Sequence, residues 1–202
     1  VGLGVALARR SAAGLRWNVA GLALSTAYLG WSLAAQAYVR DIAQDSLATS
    51  GPPPARVLVT PTPFNTVLWR VVAMDGDGTG YREGFYSLLD ADRSMRWRRF
   101  ERNPALDREL GDLWAVQRMA GFTHGFWRLR EVDRQAVLSD LRMGQEPFYT
   151  FSFRVAQRGS AWHEVRPVNL GSRGAVPQAW LAWTWHRLRG RDLPTPAESP
   201  SP

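Results

Sequence analysis

Few residues in this chain offer chemistry. The three histidines, His124, His163 and His186, are scattered: none stands four positions from another and no His-Glu-x-x-His string occurs. A metal site built from them would need distant segments. His124, in "FTHGF" at an expected helix exit, is the best placed to act, with solvation or capping as its plainer role. "SDLRMG" (139–144) sets Asp140 and Arg142 two apart, hence on one face of a strand, where they seek partners such as Arg70 or Glu83. Together they make either a structural ion-pair network or a polar site for a small or anionic ligand. "PTPFNTVLWR" (61–70) puts Asn65 and Thr66 just before a strand that carries Arg70. These side chains either cap free backbone groups or face a ligand together with Arg70. Asn65, Arg70, Asp140, Arg142 and His124 form the candidate polar site; no catalytic residue is assigned, and no metal site is expected within this chain.

Other strings fall short of a site. "DGDGTG" (75–80) opens like a calcium loop, but its twelfth position is Tyr86 where a bidentate acid is needed, so a hairpin turn is expected. "MRWRRFER" (95–102) interleaves arginines with Trp97 and Phe100, as a single-strand-binding surface does; a charged edge strand explains it more simply. No Gly-x-Ser-x-Gly, P-loop or dinucleotide fingerprint is present.

These residues must be positioned by a chain of unusual composition. All 25 basic residues are arginines, the net charge is +7, and there is no cysteine. A disulfide framework and a thiolate metal site are thereby excluded. Arg9, Arg10 and Arg16 all precede the first acid, Asp41, so part of the basic excess belongs to an N-terminal flank. The rest is only mildly basic, and no nucleic-acid partner is expected. The chain opens on Val1 in mid-pattern and reads as the C-terminal part of a longer protein.

Residues 18–39 carry no charged side chain over 22 positions, which predicts a membrane span. As a helix they reach about 33 Å, against a hydrocarbon core of about 30 Å. Trp17 and Tyr38 lie near the two ends, and Ala20, Gly21, Ser25, Ala27 and Gly30 permit close packing against other membrane helices. Residues 1–8 read as the end of a preceding span. The loop "RRSAAGLR" (9–16), with three arginines and no acid, is then cytoplasmic, and residues 40–202 are extracytoplasmic. Residues 16–50 form the span and a helical stalk, stopped by Gly51 and three prolines.

The remainder predicts an α+β fold: a mainly antiparallel sheet domain over 56–170 with one packed helix. Strand signals lie at 56–60, 66–74, 81–90, 95–102, 125–132, 135–144, 147–157 and 162–168. The helix follows Asn103 and Pro104 and ends at Gly121, with Leu106, Leu110, Leu113 and Trp114 on one side. A Trp-rich amphipathic helix (175–191) either packs on the sheet or lies on the bilayer surface, and a disordered tail (192–202) ends the chain.

The strings "PTPFNTVLWRVVAMDGD", "YREGFYSLLD", "WAVQRMAGFTHGF", "SDLRMG" and "EPFYTFSFRV", in this order, resemble the C-terminal domain of bacterial inner-membrane metal-dependent hydrolases, the LexA-binding, inner membrane-associated hydrolase family. The resemblance covers roughly residues 16–157. It implies a polytopic inner-membrane protein whose divalent-metal motifs lie N-terminal to this chain, so no family catalytic residue falls on any position here. It also implies a domain that shapes or covers a membrane-embedded active site, near envelope or lipid-linked substrates. The LexA label conflicts with the arginine loop, since a cytoplasmic repressor cannot reach an extracytoplasmic domain. Two alternatives remain: a non-enzymatic, membrane-tethered binding or assembly module of the envelope, and a cytoplasmic nucleic-acid-associated protein.

Overall fold

The computed structural model describes residues 12–171 and 177–198. The expected end of a preceding span (1–8) and residues 199–202 of the expected tail lie outside these. A long helix, α1 (Ala12–Thr49), leads into β1 (Pro54–Pro61), β2 (Leu68–Asp75), β3 (Gly80–Ser87) and β4 (Trp97–Glu101). These strands form one antiparallel sheet in the order β1-β2-β3-β4. Two short helices follow, α2 (Pro104–Leu110) and α3 (Trp114–Phe122), then β5 (Trp127–Val132) and β6 (Gln135–Asp140). The small hairpin β7 (Gly144–Gln145) and β8 (Phe148–Tyr149) precedes β9 (Ser152–Arg158), β10 (Trp162–Asn169) and α4 (Gln178–Leu188). The second antiparallel sheet has the order β10-β9-β6-β5. The α+β class and the antiparallel pairing expected from the sequence are both present, in two four-stranded sheets instead of one.

Alternation along the strands gives the first sheet two apolar faces. Val57, Val59, Trp69, Val71, Tyr86 and Trp97 pack against Ala35, Val39, Ile42 and Ala43 of α1. On the other face Val72, Met74 and Tyr81 meet Phe126, Leu141 and Tyr149 from the second half of the chain. Farther along that face, Leu68 and Phe85 meet Trp180 and Trp183 of α4. Sheet two buries Leu129, Leu138 and Val155 against Leu106, Leu110 and Val116 of α2 and α3.

Several expectations need correction. The single helix after Asn103 is two helices. Asn103 does cap the first, accepting from the Leu106 amide at 3.1 Å. Gly111 then ends it, and Leu113 adopts an extended ψ of 133° before the second begins. Glycine is a weak helix former, and the break turns Val116 onto the sheet while leaving Trp114 exposed. The helical stalk is no free stalk: Val39, Ile42, Ala43 and Leu47 are buried in the domain. Residues 12–16 of the expected connecting loop already belong to α1. Of the two placements open to the C-terminal helix, packing on the first sheet is the one found, with Trp180 and Trp183 buried against Leu68 and Phe85 and Trp185 exposed. The tail is tied down through residue 198: Asp192 pairs with Arg96 at 3.0 Å, and the Leu193 carbonyl accepts from the Trp183 indole at 3.1 Å.

The expected transmembrane helix is not carried by apolarity. Among the described residues no helix is long and apolar enough to cross a membrane. The alanines, glycines and serines of residues 18–39 dilute it. Yet α1 divides sharply at residues 34 and 35. Leu15, Trp17, Val19, Leu22, Leu24, Tyr28, Leu29, Trp31 and Leu33 are each more than half exposed, while Ala35 begins the docked part.

Candidate functional site

Arg70 sits centrally on β2, on the face shared with Val72 and Met74, and is almost fully buried. Its Nε donates to Glu83 Oε1 of β3 at 2.9 Å, and its Nη1 donates to the Leu141 carbonyl at 2.7 Å. The Tyr149 hydroxyl lies 3.5 Å from its Nη2. A second pair adjoins it: Arg128 Nη2 of β5 donates to Glu146 Oε2 at 2.7 Å, and Arg130 reaches the other oxygen at 3.5 Å. Tyr81 links the two pairs, 3.3 Å from Glu146 Oε2 and 3.2 Å from the Tyr149 hydroxyl. Two guanidinium–carboxylate pairs and two phenols thus span the junction between the sheets.

The electrostatics keep this cluster closed. Burial alone pulls the Arg70 guanidinium down, but the Glu83 charge and hydrogen bond outweigh it, and the pKa is raised. Arg128 is raised by the same contest, with burial opposed by Tyr81 and Glu146. Burial, then the Glu83 carboxylate, pushes the Tyr149 phenol well above its ordinary value despite Arg70 beside it. Burial does the same to Tyr81, against the pull of Arg128. Both phenols therefore stay protonated as donors near neutral pH, and each carboxylate already has a cation. Neither phenol is poised to give up its proton at neutral pH.

Raised phenol pKa values make a prediction about alkali. The folded state holds the Tyr81 and Tyr149 protons more tightly than the unfolded chain, whose tyrosines titrate near 10. The stability these two phenols contribute is therefore complete below pH of about 10 and falls as pH rises above it. In an alkaline titration, part of the tyrosinate absorbance should appear only together with loss of the folded signal. Tyr81→Phe should delay that coupled step.

The other candidate residues are placed as follows. Asn65 is a loop clasp: its Oδ1 accepts from the amides of Val67 and Leu68 at 3.0 and 2.7 Å, and its Nδ2 donates to Thr62 Oγ1 at 2.7 Å. Asp140 is buried and gripped by Arg142, whose Nε and Nη2 donate at 3.0 and 2.8 Å. Arg142 also donates to the Phe122 carbonyl at 3.0 Å and stacks over the Phe122 ring. His124 stands exposed two residues on, with a left-handed φ of 53° in the turn between α3 and β5. Asp140, Arg142 and the His124 turn are thus neighbours. Arg70 reaches only the Leu141 backbone between the pair, and Asn65 joins neither. The five do not converge on one open concavity.

Glu83, Arg128, Glu146, Tyr81 and Tyr149 were not among the candidates, although Glu83 was named as a partner. "DGDGTG" is the expected hairpin turn: Asp77 Oδ1 accepts from the Thr79 amide at 2.9 Å, and Asp75 is held by Arg82 and Arg99. "MRWRRFER" is the expected charged edge strand, β4. Among the described residues no three His, Asp or Glu side chains are grouped to hold a metal ion, so the divalent metal implied by the resemblance finds no fitting ligand set there. A shallow pocket of about 30 Å³ lies beside Arg96, Arg98 and Arg187, too small for more than a water or two. Arg187 is engaged there by Asp90 at 2.6 Å. Comparison with protein-family models, curated proteins and solved structures finds no match.

Proposed function

We propose that this chain is a membrane-tethered, non-catalytic binding or assembly module of the bacterial cell envelope. Its α+β domain is carried at the end of an apolar helical mast. The observation behind this reading is the exposed half of α1. At 100° per residue, Leu15, Leu22, Leu29 and Leu33 fall on one side and Trp17, Leu24, Tyr28 and Trp31 on the opposite side, all exposed. A helix apolar all round is at home in a core or in a membrane, not in water. Residues 15–34 would extend about 30 Å, the thickness of a hydrocarbon core. Its modest apolarity suits a span shared with other membrane helices of the same protein, where small residues pack closely. A Cβ built at Gly21 or Gly30 meets nothing within 4 Å, so both sites are open to such a neighbour.

The arginines at 9 and 10 favour a cytoplasmic N-terminal flank, toward which Arg16 at the first turn of the span would reach back, with the domain on the extracytoplasmic side of the inner membrane. Lipid and neighbouring helices are then its partners. The resemblance of its strings to the metal-dependent hydrolase family is behind a second reading, in which the module covers an active site supplied by other parts of such a protein. The self-paired arginines and carboxylates of the candidate site favour the first. Reconstitution into vesicles followed by alkaline carbonate washing tests the tether. The chain should stay with the lipid, and a chain beginning at residue 35 should be released. Release of both would refute the proposal.

A further inference from the structure

The loop at 61–67 spends hydrogen bonds to expose a phenylalanine. Phe64 is 108% exposed, with a left-handed φ of 63° that a bulky side chain rarely adopts. The Asn65 clasp and the bond from the Thr62 amide to the Leu68 carbonyl, 2.9 Å, hold this shape. The loop is therefore built to hold the ring outward.

The loop lies at the end of the domain from which the mast emerges. Gln36, just past the mast, donates to the Val59 carbonyl at 2.9 Å, and β1 runs on from there to Pro61. The Leu88 amide donates to the Val67 carbonyl, which brings exposed Leu89 to the same end. Arg93 stacks over Tyr38 of α1 at 5.0 Å. Gly190 packs onto the Leu89 carbonyl, and the turn before it holds exposed Trp185 with Arg189 stacked at 4.3 Å. Apolar tips and arginines thus ring the foot of the mast.

We infer that this end of the domain is a bilayer-docking face, with Phe64 inserted among the headgroups and Arg93 and Arg189 set against lipid phosphates. The inference rests on the reading that residues 15–34 span the membrane. If they do, residue 35 lies at the membrane surface, and the rim at the mast's foot lies at headgroup depth. Aromatic rings favour that depth, and guanidinium groups are drawn to anionic lipid phosphates. The docked face would fix the domain's tilt, so that it does not swing about a single helix.

The absence of cysteine makes single labels clean. Phe64→Cys, Leu29→Cys and Asp77→Cys, each carrying a polarity-sensitive fluorophore, are compared in vesicles of phosphatidylcholine with phosphatidylglycerol. Asp77 lies in the turn beyond the opposite end of β2, a strand about 23 Å long. The expected result is blue-shifted emission, quenched by labelled lipid, at positions 64 and 29, with neither effect at 77. A lipid-exposed label at 29 with a water-exposed label at 64 overturns the docking face and leaves the span intact. A water-exposed label at 29 overturns both. Equal quenching at 64 and 77 also overturns the docking face, since it reports non-specific adsorption.

Discussion

Replacing Arg70 with alanine should remove about 3–5 kcal/mol of folding free energy, a large part of the roughly 5–15 kcal/mol a domain possesses. Arg70 and Glu83 are each about 4% exposed at the side chain, and their partners lie in both halves of the chain. Without the guanidinium, Glu83 keeps a buried charge with no cation at bonding distance, and the Leu141 carbonyl and Tyr149 hydroxyl lose their donor. Glu83→Gln should cost nearly as much, since it leaves Arg70 as the uncompensated ion. A midpoint shift of roughly 1–3 M in urea is the expected size at ordinary denaturant slopes. The double variant Arg70→Met with Glu83→Leu should recover much of the loss, because a buried ion pair replaced by apolar groups is often close to neutral. If Arg70→Ala instead left the midpoint unchanged or raised it, the cluster would resemble a strained functional site, and its scaffold role would be wrong.

The second large effect concerns the two halves of α1. Among the described residues, a chain beginning at residue 35 loses side chains that are exposed apart from the half-buried Asn18 and Ser32, and its unfolding free energy should match that of the full chain to within about 0.5 kcal/mol. A chain beginning at residue 50 uncovers Val59, Trp69, Val71 and Tyr86 and should not fold. Trp69→Ala isolates the same contact. The indole is 1% exposed, and its Nε1 donates to the Thr66 carbonyl at 3.0 Å, so a loss of about 3–5 kcal/mol is expected by thermal or urea denaturation. One helix thus serves two ends: its C-terminal half completes the core, and the large apolar side chains of residues 15–33 stand outside it.

Most strands were legible because their apolar alternation is bounded by turn residues, as "DGDGTG" bounds β2 and β3, but the strands expected at 135–144 and 147–157 are each broken where the β7–β8 hairpin intervenes, so Arg142 lies in a turn past the end of β6. The cap at Asn103 and the edge character of β4 were legible for equally local reasons. The buried cluster was not. Tyr81 and Glu146 are 65 positions apart, and Arg70 and Tyr149 are 79. Only the packing of β8 and the β5–β6 ends on the first sheet joins them. Asp140 and Arg142 were read as a same-face pair seeking Arg70 or Glu83, and they found each other instead. Residues 35–39 look apolar enough for lipid, but the same property lets them serve as core; only the sheet decides between the two. Asn65 was read as either a cap for free backbone groups or a ligand-facing side chain, and its Oδ1 accepts from the Val67 and Leu68 amides in the loop that carries Phe64.

The central claim is that residues 15–34 lie in a bilayer, and depth measurement along the mast tests it most directly. Nitroxide labels at single cysteines replacing Leu22, Leu24, Leu29 and Leu33 in the reconstituted chain report collisions with oxygen, which prefers lipid, and with a nickel chelate, which prefers water. The account predicts high oxygen and low nickel accessibility at all four positions, deepest at Leu24. High nickel accessibility along the whole series would contradict it.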